Sequence, residues 1–386
     1  YRRILSMLVL LLTDGITPFV KGGMQRHSQL VAEHLARLGN KILLYHYSES
    51  DTPPDLDTAF TPQASKHIEQ FWFPYEDTSI IPGHYLRTQK RMSRQYFDAF
   101  IQQKHEADFI YAKGFMGWSF LKRRQVHGIK VPIAVKFHGM NMFQSEPDLK
   151  GEITKYLLRS SVKRIMNKAD YVFSYGGKIT EIIANELHDP TKIIEIPSGI
   201  ERERMRAKDD INTREGVRKF LFVGRFDRLK GLPELYKAIQ RIDVRNGVSF
   251  TIVGPIPEEK KMDNSTVTYT GEVKDIALLS KIYDEHDVLI CPSFSEGMPN
   301  VIMEAMSRGL AIIATDVGAT SLLVSEENGI LFKSPTPESI VIALNRMISD
   351  SDDMILQQKL ASRSRIDKFI WESIGEKLNE AIRLLK

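Results

Sequence analysis

A chain of 386 residues is too long to fold around a single ordinary hydrophobic core, so its length predicts two domains. Its composition, 42% apolar and 26% charged, is that of a globular protein, and no apolar run approaches the ~18 residues needed to cross a bilayer. The formal charge of +4 is too small to indicate nucleic-acid binding, although residues 1–197 hold 26 basic against 20 acidic side chains.

The single cysteine, Cys291, excludes a disulfide framework within the chain and fits a reducing, cytoplasmic compartment. It lies in an apolar strand, which favours a buried thiol over a catalytic one. The apolar run Leu5 to Leu12 has no small-residue cleavage site after it, so we interpret it as a strand and not as a signal peptide.

The amino-terminal half alternates strands with helices. A strand over residues 4–12 leads through Lys21, Gly22 and Gly23 into a helix over 24–38 and a strand over 41–47. The two glycines indicate either a plain helix entry or a close approach to a phosphate, and the G-x-G-x-x-G dinucleotide pattern is absent. Residues 49–85 have no clear assignment. Further strands are predicted over 108–112, 131–137, 170–175 and 192–196, and helices over 86–105, 153–168 and 176–187.

Two features of this half have both a functional and a structural interpretation. His138 follows the strand over 131–137, where open α/β sheets bind ligands, or it is a structural histidine. The helix over 86–105 carries basic side chains near one face, which is either solvated or contacts an anionic membrane or acceptor. These are Arg87, Lys90, Arg91 and Arg94.

A charged segment over 198–212 predicts an interdomain linker, and the alternation then resumes. Strands are predicted over 219–223, 248–253, 267–270, 287–291 and 310–314, with helices over 232–242, 274–284 and 299–308 and through most of the remainder. The predicted fold class is α/β, with two Rossmann-like doubly wound parallel sheets that face a central cleft.

The stretch Ser293 to Gly309 leads from a buried strand through a loop with Gly297 into a helix that begins at Pro299. Free backbone N–H groups at such a helix start form an anion site. Glu304 is an acceptor-only side chain on an otherwise largely apolar helix, and it either accepts from hydroxyl groups beside the anion site or is simply solvated.

Arg225 and Lys230 follow the strand over 219–223, in a loop closed by Gly224 and Gly231. Two cations near the helix start at Pro299 indicate a diphosphate clamp, the alternative being ordinary surface charges.

Taken together, these residues resemble the retaining, nucleotide-sugar-dependent glycosyltransferases of the GT-B fold, family four. The resemblance covers nearly the whole chain. It depends on the motifs GG at 22–23, FHG at 137–139, IPSGI at 196–200, VGRFDRLKG at 223–231, TGEV at 270–273, the pair Glu296 and Glu304 with seven residues between them, and FIWE at 369–372.

The resemblance implies an amino-terminal acceptor-binding domain (1–197), a linker (198–212), a carboxyl-terminal nucleotide-sugar-binding domain (213–368) and a last helix (369–386) that crosses back. It implies that Arg225 and Lys230 bind the donor diphosphate and that Glu304 holds the ribose hydroxyls. The remaining implied donor contacts are Glu296 and His138 on the sugar, Val273 on the base through its main chain, and the backbone of Gly22, Gly23, Gly297, Met298, Pro299, Asn300 and Val301.

The expected substrates are a nucleoside-diphosphate sugar and a glycan or lipid-linked acceptor, with peripheral contact with an anionic membrane, no cofactor and no metal. Asp55-x-Asp57 is the nearest approach to a metal-binding Asp-x-Asp, in a proline-flanked loop. The linker reads IPSGIE where Asn and Asp are commoner, and GMPN lacks a second glycine, so the donor sugar stays open. Two alternatives remain: a glycoside hydrolase with Glu296 and Glu304 as its carboxylates, and a non-catalytic two-domain binding protein.

Overall fold

The computed structural model describes residues 6–50, 52–74, 84–144, 149–213, 217–242 and 247–386. Within these residues the chain forms two parallel sheets, one of seven strands and one of six. This architecture confirms the predicted α/β class with two doubly wound sheets.

The amino-terminal sheet has the strand order β3-β2-β1-β4-β5-β6-β7. Its strands are β1 (Leu8–Leu12), β2 (Lys41–Ser48), β3 (Ile68–Pro74), β4 (Phe109–Lys113), β5 (Ile133–Lys136), β6 (Tyr171–Ser174) and β7 (Ile193–Glu195). The helices along this half are α1 (Gly23–Arg37), α2 (Pro62–Ser65), α3 (His84–Gln102), α4 (Trp118–Arg123), α5 (Leu149–Lys168) and α6 (Lys178–Glu186).

The carboxyl-terminal sheet has the order β10-β9-β8-β11-β12-β13. Its strands are β8 (Arg218–Val223), β9 (Val248–Val253), β10 (Val267–Gly271), β11 (Val288–Cys291), β12 (Ala311–Thr315) and β13 (Gly329–Phe332). The helices are α7 (Leu232–Ile239), α8 (Ile276–Asp284), α9 (Asn300–Ser307), α10 (Thr320–Leu323), α11 (Pro337–Ser349), α12 (Asp352–Arg365) and α13 (Trp371–Leu385).

Each sheet is buried on both faces, which is why its central strands read as unbroken apolar runs. Successive residues of β1 illustrate this: Leu10 packs into the core on one face, whereas Val9 and Leu11 pack into the core on the other. In the second sheet Phe220 and Leu221 point to opposite faces in the same way.

The strand orders locate the functional site. In each sheet the chain reverses its direction of winding beside the first strand, between β1 and β4 and between β8 and β11. Ligands of open α/β sheets bind outside the carboxyl ends of strands at such a switch point. The loops that follow β1, β8 and β11 carry Gly23, Lys230 and Glu296 respectively.

Helix α13 packs against the amino-terminal sheet although it follows the second one. Trp371, Leu378 and Ile382 are buried in the same apolar cluster as residues of β1 and α1. A bridge between Ile200 and Ile370 fixes the point where the returning chain meets the segment between the two sheets. The exact domain boundaries proposed from the sequence remain a prediction.

Several element predictions need correction. Strand β1 begins at Leu8 rather than residue 4, and residues 4 and 5 lie outside the described part. Pro299 is the N-cap of α9, with extended ψ of 112°, and not its first helical residue. Strands β3 and β13 were not predicted, because β3 mixes polar with aromatic residues and β13 falls in the stretch after residue 314 that was interpreted as mostly helical.

Candidate active site

A cavity of about 440 Å³ opens at the carboxyl ends of both sheets. Ten of the predicted site residues line it: Gly23, His138, Arg225, Lys230, Glu296, Gly297, Met298, Pro299, Asn300 and Val301. We call it the cleft. The structure therefore brings together both cations, the start of α9 and the histidine of the opposite sheet.

An adjoining cavity of about 290 Å³ is lined by Gly22 and Glu304. It shares Gly23 and Asn300 with the cleft, and a Cβ on Gly23 would lie 3.0 Å from the Asn300 side chain. Val273 lines neither cavity and packs instead against the apolar cluster that includes Leu289 and Cys291 of β11. Its contact with a base therefore stays a prediction.

A glycine allows the loop that carries the two cations to approach β11 closely. Gly231 has φ +70°, and a Cβ there would lie 1.9 Å from the Pro292 carbonyl oxygen, so the loop presses directly against the end of β11. The Asp227 carboxylate accepts from the Leu229 N–H at 2.9 Å and fixes the turn before Lys230.

The two cations differ in their surroundings. Lys230 Nζ lies 2.6 Å from Glu296 Oε1, whereas the exposed Arg225 side chain has no hydrogen bond or ion pair within the described residues. Burial favours the neutral amine of Lys230, but the Glu296 carboxylate outweighs this, together with Cys291 and Asp227, and raises the lysine pKa. Lys230 is therefore a fixed cation, and Arg225 is available to an incoming anion.

The Glu296 carboxylate is fixed by two hydrogen-bond donors. It accepts from Lys230 and, at 2.7 Å, from the Ser293 hydroxyl, and its side chain is 11% exposed. A carboxylate paired in this way serves as a charge and as a hydrogen-bond acceptor.

The backbone around Gly297 closes the cleft. A Cβ on Gly297 would lie 1.8 Å from the His138 carbonyl oxygen, so the two sheets' loops touch here through bare backbone. Beyond it, Asn300 and Val301 are the first residues of α9, and N–H groups of a first helical turn have no partner inside the helix. They are suited to an anion in the cleft.

His138 lies just after β5, on the other side of the cleft. Its Nδ1 is hydrogen-bonded with the Tyr175 hydroxyl, and its ring packs edge-on against His27 with centroids 4.8 Å apart. The buried Nε2 atom has no partner among the described residues. Burial, and then the charges of Lys113 and Lys136, lower the pKa of His138 well below its ordinary value, so the imidazole is neutral.

Glu304 already has two partners. Arg204 Nη1 lies 3.1 Å from Oε1, and the Tyr283 hydroxyl donates to Oε2 at 3.1 Å. Arg204 belongs to the segment between the sheets, whose Glu201 carboxylate also pairs with Arg26 of α1. Sequence reasoning interpreted this charged run only as a linker, and nothing in its pattern specifies a partner 100 residues away.

Burial raises the pKa of the Cys291 thiol to about 12, which agrees with an inert strand residue.

Asp55 caps a short turn by accepting from the Asp57 N–H, and Asp57 accepts from Ser65. No cluster of three or more potential metal-binding His, Cys, Asp or Glu side chains occurs in the described ranges. None of the helices described there combines the length and apolar character of a membrane span.

Family models match most of the chain. The model for Glycosyltransferase Family 4 covers residues 21–204, and that for Glycosyl transferases group 1 covers 217–350. The chain is 26% identical over 227 residues to a Bacillus subtilis protein named for teichuronic acid biosynthesis, and 25% identical over 279 residues to a Methanocaldococcus jannaschii glycosyltransferase. These matches span 55% and 68% of the two relatives and 56% and 68% of this chain.

Solved structures show the fold. Sucrose-phosphate synthase from Thermosynechococcus elongatus aligns with a TM-score of 0.75 at 20% identity, over 98% of this chain and 99% of that one. Anabaena HepE in complex with UDP and glucose aligns at 0.71 and 16% identity, over 98% of this chain and all of that one. With both halves matched and the fold shared, the chain belongs to the GT-B glycosyltransferases of family four.

Proposed function

We propose that this glycosyltransferase moves a sugar, with retention of anomeric configuration and without a metal, from a nucleoside-diphosphate sugar to a hydroxyl of a glycan or lipid-linked acceptor. One observation carries the proposal. Arg225, Lys230 and the start of α9 line the same cleft as His138 of the opposite sheet.

The chemistry fits these residues. A nucleoside diphosphate is a good leaving group, so the reaction needs stabilisation of the charge that grows on the departing phosphate. Lys230, Arg225 and the amides of α9 would supply it, and two cations make a divalent metal unnecessary. A neutral His138, with its unpartnered Nε2, would contact a hydroxyl of the donor sugar.

The adjoining cavity fits the nucleoside. Glu304 would release Arg204 and accept hydrogen bonds from the ribose hydroxyls instead. The base would extend towards Val273. The relative in complex with UDP and glucose supports a nucleotide-sugar donor, and the Bacillus subtilis relative supports a role in polysaccharide or glycolipid assembly.

The rival functions fit less well. A hydrolase would use Glu296 and Glu304 as a carboxylate pair, but Glu296 is held by Lys230 and Glu304 lies in the adjoining cavity beside Arg204. A non-catalytic binding protein has no need of a histidine with an unpartnered Nε2 in the same cleft as two cations.

We also propose a cytoplasmic enzyme that contacts the anionic face of a membrane. The exposed Arg87, Lys90 and Arg94 of α3 lie on the acceptor side and would attract such a surface. The segment over 198–212 and α13 would serve as hinges when the two sheets close over the donor.

A thermal-shift screen with UDP-, GDP- and ADP-sugars tests the donor, because a ligand stabilises the state that it binds. The sugar that raises the melting temperature is then incubated with the glycans of candidate acceptors, with and without EDTA, and the anomer is identified by NMR. Transfer with retention that survives EDTA supports the proposal. Release of free sugar to water, or no turnover despite tight binding, would favour one of the rivals.

A further inference from the structure

A third cavity, of about 340 Å³, opens beside the cleft in the amino-terminal domain. It shares His138, Gly139 and Asn141 with the cleft, so the two spaces meet at the histidine. We call it the lysine cavity, because Lys113, Lys136 and Lys155 all line it.

Two of these lysines form a fixed pair. Lys113 is the last residue of β4 and Lys136 the last of β5, and the parallel register sets them directly opposite each other. Side chains paired in this way point to the same face of the sheet. They are 3% and 0% exposed, which is rare for lysine.

Neither lysine is paired with a carboxylate by a hydrogen bond, although the charge of Asp14 attracts Lys113. Lys113 Nζ lies 2.8 Å from His27 Nδ1 and 3.1 Å from the Tyr111 hydroxyl. Lys136 Nζ donates to the Ile196 carbonyl at 2.6 Å. All of these partners are neutral, and neither lysine forms an ion pair anywhere in the described part of the chain.

The remaining charged groups do not resolve this imbalance. Lys155, 5% exposed, adds a third amine, which donates to the Gln144 carbonyl at 2.8 Å. Asp14 is the single carboxylate among the lining residues; it accepts from Gln25 at 3.3 Å and attracts Lys113, so one acidic side chain faces three lysines. Burying an ammonium without a counter-ion is strongly unfavourable, so such groups become neutral or acquire an anion. Burial does lower the pKa of Lys113 and of Lys136 well below the ordinary value.

We propose that the lysine cavity binds an oxyanion carried by the acceptor sugar, a carboxylate or a phosphate, with Lys113 and Lys136 as its counter-charges. The proposal rests on the proposed function, since it names the acceptor class of the same site. An acceptor anchored there would present its hydroxyl towards His138, where the cavity meets the cleft. The donor would be recognised independently, by Arg225 and Lys230.

The binding test compares three small probes on the whole chain by calorimetry: glucuronate for a carboxylate, glucose 6-phosphate for a phosphate, and glucose as the neutral control. We expect one of the two anions to bind at least about tenfold more tightly than glucose, since a charged hydrogen bond is worth that much. Lys113→Met and Lys136→Met should each abolish this preference. Which anion responds distinguishes the carboxylate from the phosphate.

Matched variants make the result specific. Lys130→Met removes an exposed positive charge from the same domain and should leave the anion preference intact. Arg225→Met should also leave it intact, because it alters the donor cleft only. Each Met variant also loses the hydrogen bonds of its lysine, so its melting temperature is measured alongside the anion preference. If either fails to fold, Lys113→Gln and Lys136→Gln repeat the comparison with a polar side chain.

Proton uptake gives a second readout. An anion should raise the lysine pKa values towards normal, so binding to the wild type should take up protons, measured by calorimetry in buffers of different ionisation enthalpy. Titratable neighbours from the surrounding elements are His27, His138, Asp14, Tyr85, Tyr111, Tyr175 and Lys155. Uptake that persists in both Met variants would assign the protons to these neighbours instead.

Three outcomes overturn the proposal: no anion preference in the wild type, a preference that survives in both lysine variants, or an equal loss in Lys130→Met. Failure of the proposed function looks different. In that case no nucleoside diphosphate binds to any form of the protein, whereas the preference for an anionic sugar persists and depends on Lys113 and Lys136.

Discussion

Removal of the Lys230 side chain tests the diphosphate clamp, because Lys230 performs two separable tasks. It would contact the donor diphosphate, and it neutralises Glu296 at 2.6 Å. In Lys230→Met the Glu296 carboxylate, 11% exposed, keeps only the Ser293 hydroxyl. Leaving such a group without its partner costs about 1–3 kcal/mol, or about 2–10 °C in the melting temperature of a unit this size.

The affinity for the nucleoside diphosphate should fall as well. A lost charged hydrogen bond of about 1.5–3 kcal/mol corresponds to a dissociation constant about 10- to 150-fold higher. The unpaired Glu296 charge then faces the diphosphate and adds repulsion. Lys230→Met/Glu296→Gln should therefore recover part of both losses, which a double-mutant cycle measures directly.

Two arginine variants separate the loss of nucleotide affinity from the loss of stability. Arg225→Met removes a cation without a described partner, so it should weaken nucleotide binding at unchanged melting temperature. Arg228→Met breaks a two-pronged ion pair with Glu234 at 2.6 Å, outside the cleft lining, and should lower stability but not affinity. Nucleotide affinity is measured by calorimetry and stability by thermal unfolding, for these four variants and for the single Glu296→Gln that the cycle requires. Nucleotide affinity unchanged in both Arg225→Met and Lys230→Met would refute the clamp.

Three further predictions concern the rest of the site and the core. Glu304→Gln should reduce the preference for ribo- over 2′-deoxyribonucleoside diphosphates by about tenfold, and an unchanged ratio of dissociation constants would remove the ribose contact. Gly297→Ala would set a Cβ 1.8 Å from the His138 carbonyl oxygen, so turnover should fall about a hundredfold with little change in nucleotide affinity; wild-type turnover would contradict the close backbone approach. Burial lowers the pKa of His46, so below pH ~6.5 the unfolded chain binds a proton that the folded chain refuses, and stability falls as the pH drops. His46→Gln should flatten this dependence by up to about 1.4 kcal/mol per pH unit in denaturant titrations, and an unchanged slope would count against the assignment.

The sequence predicted the sheets because their central strands are buried on both faces and read as uninterrupted apolar runs. It missed β3 because an edge strand of a parallel sheet is half solvated, and its polar and aromatic residues follow no simple period. It placed Pro299 inside the helix because proline favours the first turn, whereas ψ of 112° makes it the residue before that turn.

The site was predictable where it follows strand ends. Lys230, Glu296 and His138 lie in the connections that follow β8, β11 and β5, and parallel strands deliver such connections to one edge of the sheet. The same reasoning would have found Lys113 and Lys136, since a lysine that closes an apolar strand is conspicuous. Contacts set by tertiary packing, such as Arg204 with Glu304, leave no local pattern in the sequence.

On the proposed function, the segment between the sheets would link donor recognition to the relative position of the domains. Glu201 pairs with Arg26 of the amino-terminal helix α1, and three residues later Arg204 pairs with Glu304 of α9. Ribose hydroxyls that bind Glu304 would compete with Arg204 for the same carboxylate. Because the freed Arg204 lies on the segment that Glu201 ties to the other domain, the proposed donor binding and hinge geometry would be coupled through charge. A nucleotide would thus exchange partners that already exist, and the free energy of that exchange would depend on how the two domains are held.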